Sequence, residues 1–163
     1  ILIPFFEEGF RKHEFCMWII AEPLSIADIR QYLRNKAELW EQYIAQEQLQ
    51  VFNALEWYTD MGRLCIEKLS RKWVSVIEHA QERGFSGIRV CGDASWLDMR
   101  YWEEWLEYER SADELIKKRD ITALCTYPLL KFKEAETFLL STCHNVAAKN
   151  QHGCLEYTLY NSK

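Results

Sequence analysis

With 163 residues the chain has the length of one domain and can bury a sizeable core. Apolar residues make up 48% and charged residues 28%, a globular balance, and no apolar run approaches the roughly 18 residues of a bilayer-spanning helix. A net charge of −5 argues against a basic nucleic-acid surface, so neither nucleic acid nor membrane is an expected direct partner.

Ile1 to Glu14 reads as an amphipathic helix, with Ile3, Phe6 and Phe10 at helical spacing. Phe15 to Ala21 is a continuous apolar run before Glu22-Pro23, the pattern of a strand covered on both faces in a parallel sheet. Ser25 and Asp28 form a capping-box signature for a helix striped by Ile26, Ile29 and Leu33. A second helical stretch carries Leu39, Trp40, Tyr43 and Ile44. Leu49 to Leu55 predicts a strand, and Glu56 to Met61 a loop ending at Gly62. Arg63 to Arg83 is the clearest helix, presenting Leu69, Trp73, Val76, Ile77 and Ala80 on one face and closed by Gly84. Ile88 to Cys91 predicts a strand that runs into Gly92-Asp93-Ala94-Ser95-Trp96. Tyr101 to Lys118 predicts a helix burying Trp102, Trp105, Leu106, Ala112 and Ile116. Ile121 to Thr126 is a further buried strand, ended by Tyr127-Pro128, and Phe132, Ala135, Phe138 and Leu139 mark a last helix. Leu155, Tyr157 and Leu159 alternate with polar neighbours, the period of a half-exposed strand near a sheet edge. Strands alternating with helices predict an α/β three-layer sandwich on a mostly parallel central sheet.

That architecture often binds nucleotides, yet neither G-x-x-x-x-G-K-[ST] nor G-x-G-x-x-G occurs. Ligands of open parallel sheets bind outside the carboxyl ends of the strands, which is where Asp93, Ser95, Trp96 and Tyr127 fall. Asp93 could equally cap the turn after its strand, and Trp96 could plug the end of the sheet. The acidic residues Glu103, Glu104, Glu107 and Asp113 read as a solvated helix face, whereas Glu109 lies near the buried side and can turn toward the strand ends.

Cys16, Cys91 and Cys125 fall within buried strands, where a thiol serves as a small apolar filler. Cys143-His144 and His152-x-Cys154 lack the C-x2-C or H-x3-H spacing that brings paired ligands to one ion. No metal and no cofactor are expected, and dispersed cysteines suit a reduced, cytoplasmic setting. G-x-S-x-G is absent, and Cys125 has no catalytic partner legible in the sequence.

Three blocks carry a resemblance: Gly84 to Trp96, then Leu106-Glu107-Tyr108-Glu109, then Ala123-Leu124-Cys125-Thr126-Tyr127 with His144 beyond. Together they resemble the methanogen/methylotroph sensory domain, MEDS, whose pattern runs G-x-R-x-x-G-E-x-S-W, a Tyr-Glu pair, then A-L-C-x-Y. Asp93 stands where the family usually has Glu, and Pro128 where Asp is common. The resemblance implies a RecA-like fold without a phosphate loop. It also implies a non-enzymatic signal-input domain for small organic molecules such as hydrocarbon derivatives, acting on a histidine kinase or transcription-regulator output domain of the same parent chain.

Residues 1–163 are accordingly expected to form one sensory domain, cut from a longer protein, lacking its first strand and able to form a homodimer. Asp93 and Ser95 supply polar contacts, Trp96, Tyr127 and Trp18 form walls, and Glu22 and Glu109 are secondary candidates. The alternatives are a residual nucleotide-binding, ATPase-like domain and a ligand-free dimerisation module.

Overall fold

The computed structural model describes residues 1–36, 38–128, 130–132, 139–151 and 154–160. Its centre is β1 (Phe15–Ile20), every residue of which is buried, as the unbroken apolar run requires. β2 (Leu49–Asn53) and β5 (Ile88–Asp93) flank it in parallel, and β6 (Ile121–Thr126) pairs parallel with β5, giving the order β2-β1-β5-β6.

Successive strand residues point to opposite faces, so β1 feeds two cores. Phe15, Met17 and Ile19 join one core with α4 (Ala54–Tyr58), α5 (Ile66–Glu82) and α6 (Trp102–Lys117), through Tyr58, Trp73 and Trp105 among others. Cys16, Trp18 and Ile20 join the other, with α1 (Leu2–Arg11), α2 (Ile26–Lys36) and α3 (Glu38–Ala45) supplying Phe6, Phe10, Leu33 and Trp40. The result is the expected three-layer α/β sandwich on an all-parallel four-stranded sheet.

The local signals act as their chemistry predicts. The Asp28 carboxylate accepts from Ser25 N–H (2.9 Å) and Oγ–H (2.6 Å), and Ser25 Oγ accepts from Asp28 N–H (3.1 Å), a reciprocal cap for α2. Gly84, at φ +74°, closes α5 in a Schellman motif: its N–H donates to Gln81 O and that of Phe85 to Ala80 O.

Four expectations need correction. The strand expected to reach Leu55 stops at Asn53, because the Asn53 side chain accepts from the N–H of Leu55 (2.9 Å) and Glu56 (3.3 Å) and starts α4. Glu56 to Met61 is therefore not a loop; it completes α4 and enters the hairpin of β3 (Thr59–Asp60) and β4 (Arg63–Leu64). Met61 and Gly62 turn that hairpin at φ +48° and +76°, so the next helix begins at Ile66 rather than Arg63. β8 (Cys154–Leu159) is not at the central sheet's edge; it pairs antiparallel with β7 (Val146–Gln151), leaving Tyr157 66% and Leu159 77% exposed. Alternation records the shape of a strand, not the identity of its partner. Of the expected last helix, 133–138 lie outside the described residues, including Ala135 and Phe138, as does His152.

Candidate functional site

β5 and β6 end together, Asp93 paired with Thr126, so Asp93 and Tyr127 occupy the same end of the sheet, as expected. Their side chains do different work there. Asp93 Oδ1 accepts from Ser95 N–H at 2.9 Å, the turn-capping role of a short carboxylate after a strand. Ser95 is held through its backbone, its carbonyl accepting from Lys131 Nζ at 2.8 Å. Trp96 stacks on Tyr58, ring centroids 5.2 Å apart and planes 11° from parallel, and meets Trp105 edge-on at 5.6 Å. It plugs the sheet end as part of an aromatic cluster.

Tyr127 turns the other way, along α6. Its hydroxyl donates to Glu109 Oε1 at 2.7 Å, joining two residues that are 18 apart in sequence. Glu109 is only 5% exposed, and burial raises its carboxyl above the ordinary carboxylate range, against the opposing pull of His144 and the Tyr127 hydrogen bond. His144 Nε2 lies 3.8 Å from Glu109 Oε2. The other ring nitrogen, Nδ1, is 2.8 Å from the Leu140 carbonyl, which can only accept, so Nδ1 carries the proton. In the neutral ring the Nε2 lone pair then faces Glu109.

Beside this group a cavity of about 440 Å³ opens between α6, the β5–β6 face and residues 143–146. Small-molecule pockets occupy roughly 300–1,000 Å³, mostly apolar with a few placed polar groups. Val90, Ala112, Ile116, Ile121 and Ala123 supply the apolar wall here. Tyr58, Tyr108, Glu109, Cys125, Cys143 and His144 bring polar atoms to it, and Asp113, Lys117, Thr122 and Asn145 also line it. The Tyr58 hydroxyl sits against Gly92, where a Cβ would come within 2.5 Å of it, and Tyr108 Oη accepts from Trp73 Nε1 at 3.1 Å. Burial pushes the Cys125 thiol well up, with the negative charge of Glu109 adding to it, and burial also raises Cys143.

Of the sequence candidates, Glu109 lines this cavity directly and Tyr127 is bonded to it, while Asp93, Ser95 and Trp96 lie outside its lining. Trp18 sits on the opposite face of the sheet against Phe6, centroids 5.4 Å apart, and cannot wall this cavity. Glu22 is exposed at the carboxyl end of β1. Tyr58, Tyr108, Cys125 and His144 form much of the polar lining; none of them was an expected site residue, and Cys125 was expected only as an apolar filler. The legible signal was Glu109 itself, a carboxylate in register with Trp102, Trp105, Ala112 and Ile116 on the buried stripe of α6.

Fold and cavity together define an α/β domain with a pocket of small-molecule size. Residues 1–145 match the family described as the MEthanogen/methylotroph, DcmR Sensory domain, MEDS. The match spans most of the sequence, and the chain belongs to this family of sensory domains. No curated protein matches the chain at a significant level.

Proposed function

We propose that the chain is a non-enzymatic signal-input domain that holds a small organic molecule in the cavity between α6 and the β5–β6 face. The signal would pass to a kinase or transcription-regulator domain of the same parent protein, in the cytoplasm. The observation that carries this reading is the cavity's make-up: an apolar wall with tyrosine hydroxyls, an imidazole, the Glu109 carboxyl and the paired Asp113 and Lys117. Membership of a sensory family points the same way. The thiols of the cavity are held above their ordinary range, the reverse of what a nucleophile needs, which supports binding over catalysis.

Burial favours the neutral form of Glu109, so the cavity suits an uncharged guest that accepts from, or packs against, the tyrosine hydroxyls. Small uncharged alcohols and organic halides are the probes of choice. A binder present at a hundred times its Kd stabilises the fold by about 2.7 kcal/mol, a readily measured rise in Tm. Ala112→Phe, which fills the cavity from α6, abolishes that rise, while the exposed Glu104→Ala leaves it intact. Binding that survives Ala112→Phe in a folded variant would place the site elsewhere.

A further inference from the structure

We propose that Glu109, Cys125 and His144 form a binding site for a divalent transition metal of the zinc class, open toward the cavity. The carboxylate oxygen, thiol sulfur and imidazole nitrogen offered by these three residues all lie within 4.8 Å of one another. Carboxylate, thiolate and imidazole are all zinc ligands, and bonds of roughly 2.0–2.3 Å in a tetrahedron place neighbouring ligand atoms about 3.5 Å apart. The group needs to contract by about 1 Å, within reach of side-chain rotation. A thiolate with an imidazole selects such a metal over magnesium or calcium, which prefer all-oxygen shells.

Two further features point to an ion. The first is the orientation of His144: with Nδ1–H donating to the Leu140 carbonyl, the Nε2 lone pair is directed at the Glu109 carboxylate. Metal-bound histidines are held this way, the outer nitrogen fixing tautomer and ring angle for the inner one. The second is charge. Glu109 is buried and Cys125 half-buried beside it, and two anions side by side there are unfavourable without a cation between them. A doubly charged cation balances one carboxylate and one thiolate, and would deprotonate the thiol outright. Tyr127, donating to Glu109 Oε1, is a positioning residue that leaves Oε2 facing His144. The three residues come from α6, β6 and the turn before β7, so only the assembled fold creates the site. Three protein ligands leave a fourth position for water or a Lewis-basic guest facing the cavity.

The site shares the cavity of the sensory reading without depending on it, and metal binding is scored separately from organic binding to the metal-free chain. Tag-free chain, stripped with a chelator, is titrated with cobalt(II) and then zinc. The expected result is one cobalt per chain, a thiolate-to-cobalt charge-transfer band, and its stoichiometric displacement by zinc. Cys125→Ser removes the band, and Cys65→Ser, at the start of α5, leaves it unchanged. His144→Ala weakens zinc affinity by more than the roughly 10–100-fold typical of losing an outer-shell partner. No band in the folded wild type, a band that persists in Cys125→Ser, or one that depends on Cys143 instead would each overturn the proposal. Should Cys125→Ser not fold, His144→Ala decides alone: its substitution is at a half-buried turn, and unchanged affinity refutes the site.

Discussion

Glu109 concentrates the residue-scale chemistry of this domain. Burial raises its carboxyl above the ordinary value of 4.5, and the neighbouring His144 ring and the Tyr127 hydroxyl only partly oppose that rise. Above about pH 4.5 the metal-free native state therefore retains a proton that the unfolded chain has released. By linkage, stability falls as pH rises through the window between the unfolded and the raised folded pKa. Glu109→Gln stays neutral and lacks that loss, so the stability of the wild type relative to the variant declines as pH rises through the window. Urea midpoints across a pH series measure the difference, and a flat or rising difference contradicts the assignment. Zinc reverses the sign, because a bound cation favours the carboxylate. Asp93 shows the contrasting case, a carboxylate at a strand end that is occupied by the turn it caps.

At the scale of elements, the approach of α4 to the sheet depends on a missing side chain. Gly92 on β5 allows the Tyr58 hydroxyl to reach the strand, and a Cβ there would meet the oxygen at 2.5 Å while the ring carbon behind it lies at 3.9 Å. Tyr58 cannot swing aside, being stacked on Trp96 and held edge-on by Trp105 and Tyr108. Gly92→Ala is thus an overpacking change and costs about 1–3 kcal/mol. Removing only the hydroxyl relieves the clash, so Tyr58→Phe combined with Gly92→Ala recovers a large part of that loss in a double-mutant cycle. Simple additivity of the two substitutions by chemical denaturation would show that the hydroxyl is not the point of contact. Trp96→Ala disturbs the same aromatic packing, so its first effect is on stability.

Over the whole molecule, the sheet separates two cores that share β1 and β5 but face opposite helix layers. The cavity belongs to the layer of α5 and α6, whereas Leu33, fully buried on α2, belongs to the other. Leu33→Ala therefore lowers stability by about 2–5 kcal/mol, the cost of a core truncation. Distant sites with no shared partners act nearly independently, so the affinity of the cavity for zinc or an organic guest stays within about two-fold. A larger loss of affinity in the folded variant, read by titration, would mean that the two layers are coupled through the sheet. Coupling of that kind is what a relay of the cavity's state across the sheet would need.

The sequence by itself determined the periodic elements: the doubly buried run of β1, the capped starts and stops at Ser25 and Gly84, and the apolar stripes of α5 and α6. Each is enforced by interactions spanning a few residues, and short-range chemistry is what a sequence displays. It also placed Asp93 and Tyr127 at one end of the sheet and turned Glu109 inward, because parallel pairing and helical spacing fix those directions. Tertiary structure alone decided the rest. It put Trp18 on the far face through strand parity and joined β8 to β7 rather than to the sheet. It also brought Glu109, Cys125 and His144 within 4.8 Å of one another. The linear pattern offered Cys143-His144 with His152-x-Cys154 as ligands and set them aside on spacing, but a residue's neighbours across an α/β sandwich are set by how its layers stack. No spacing along the chain records that stacking.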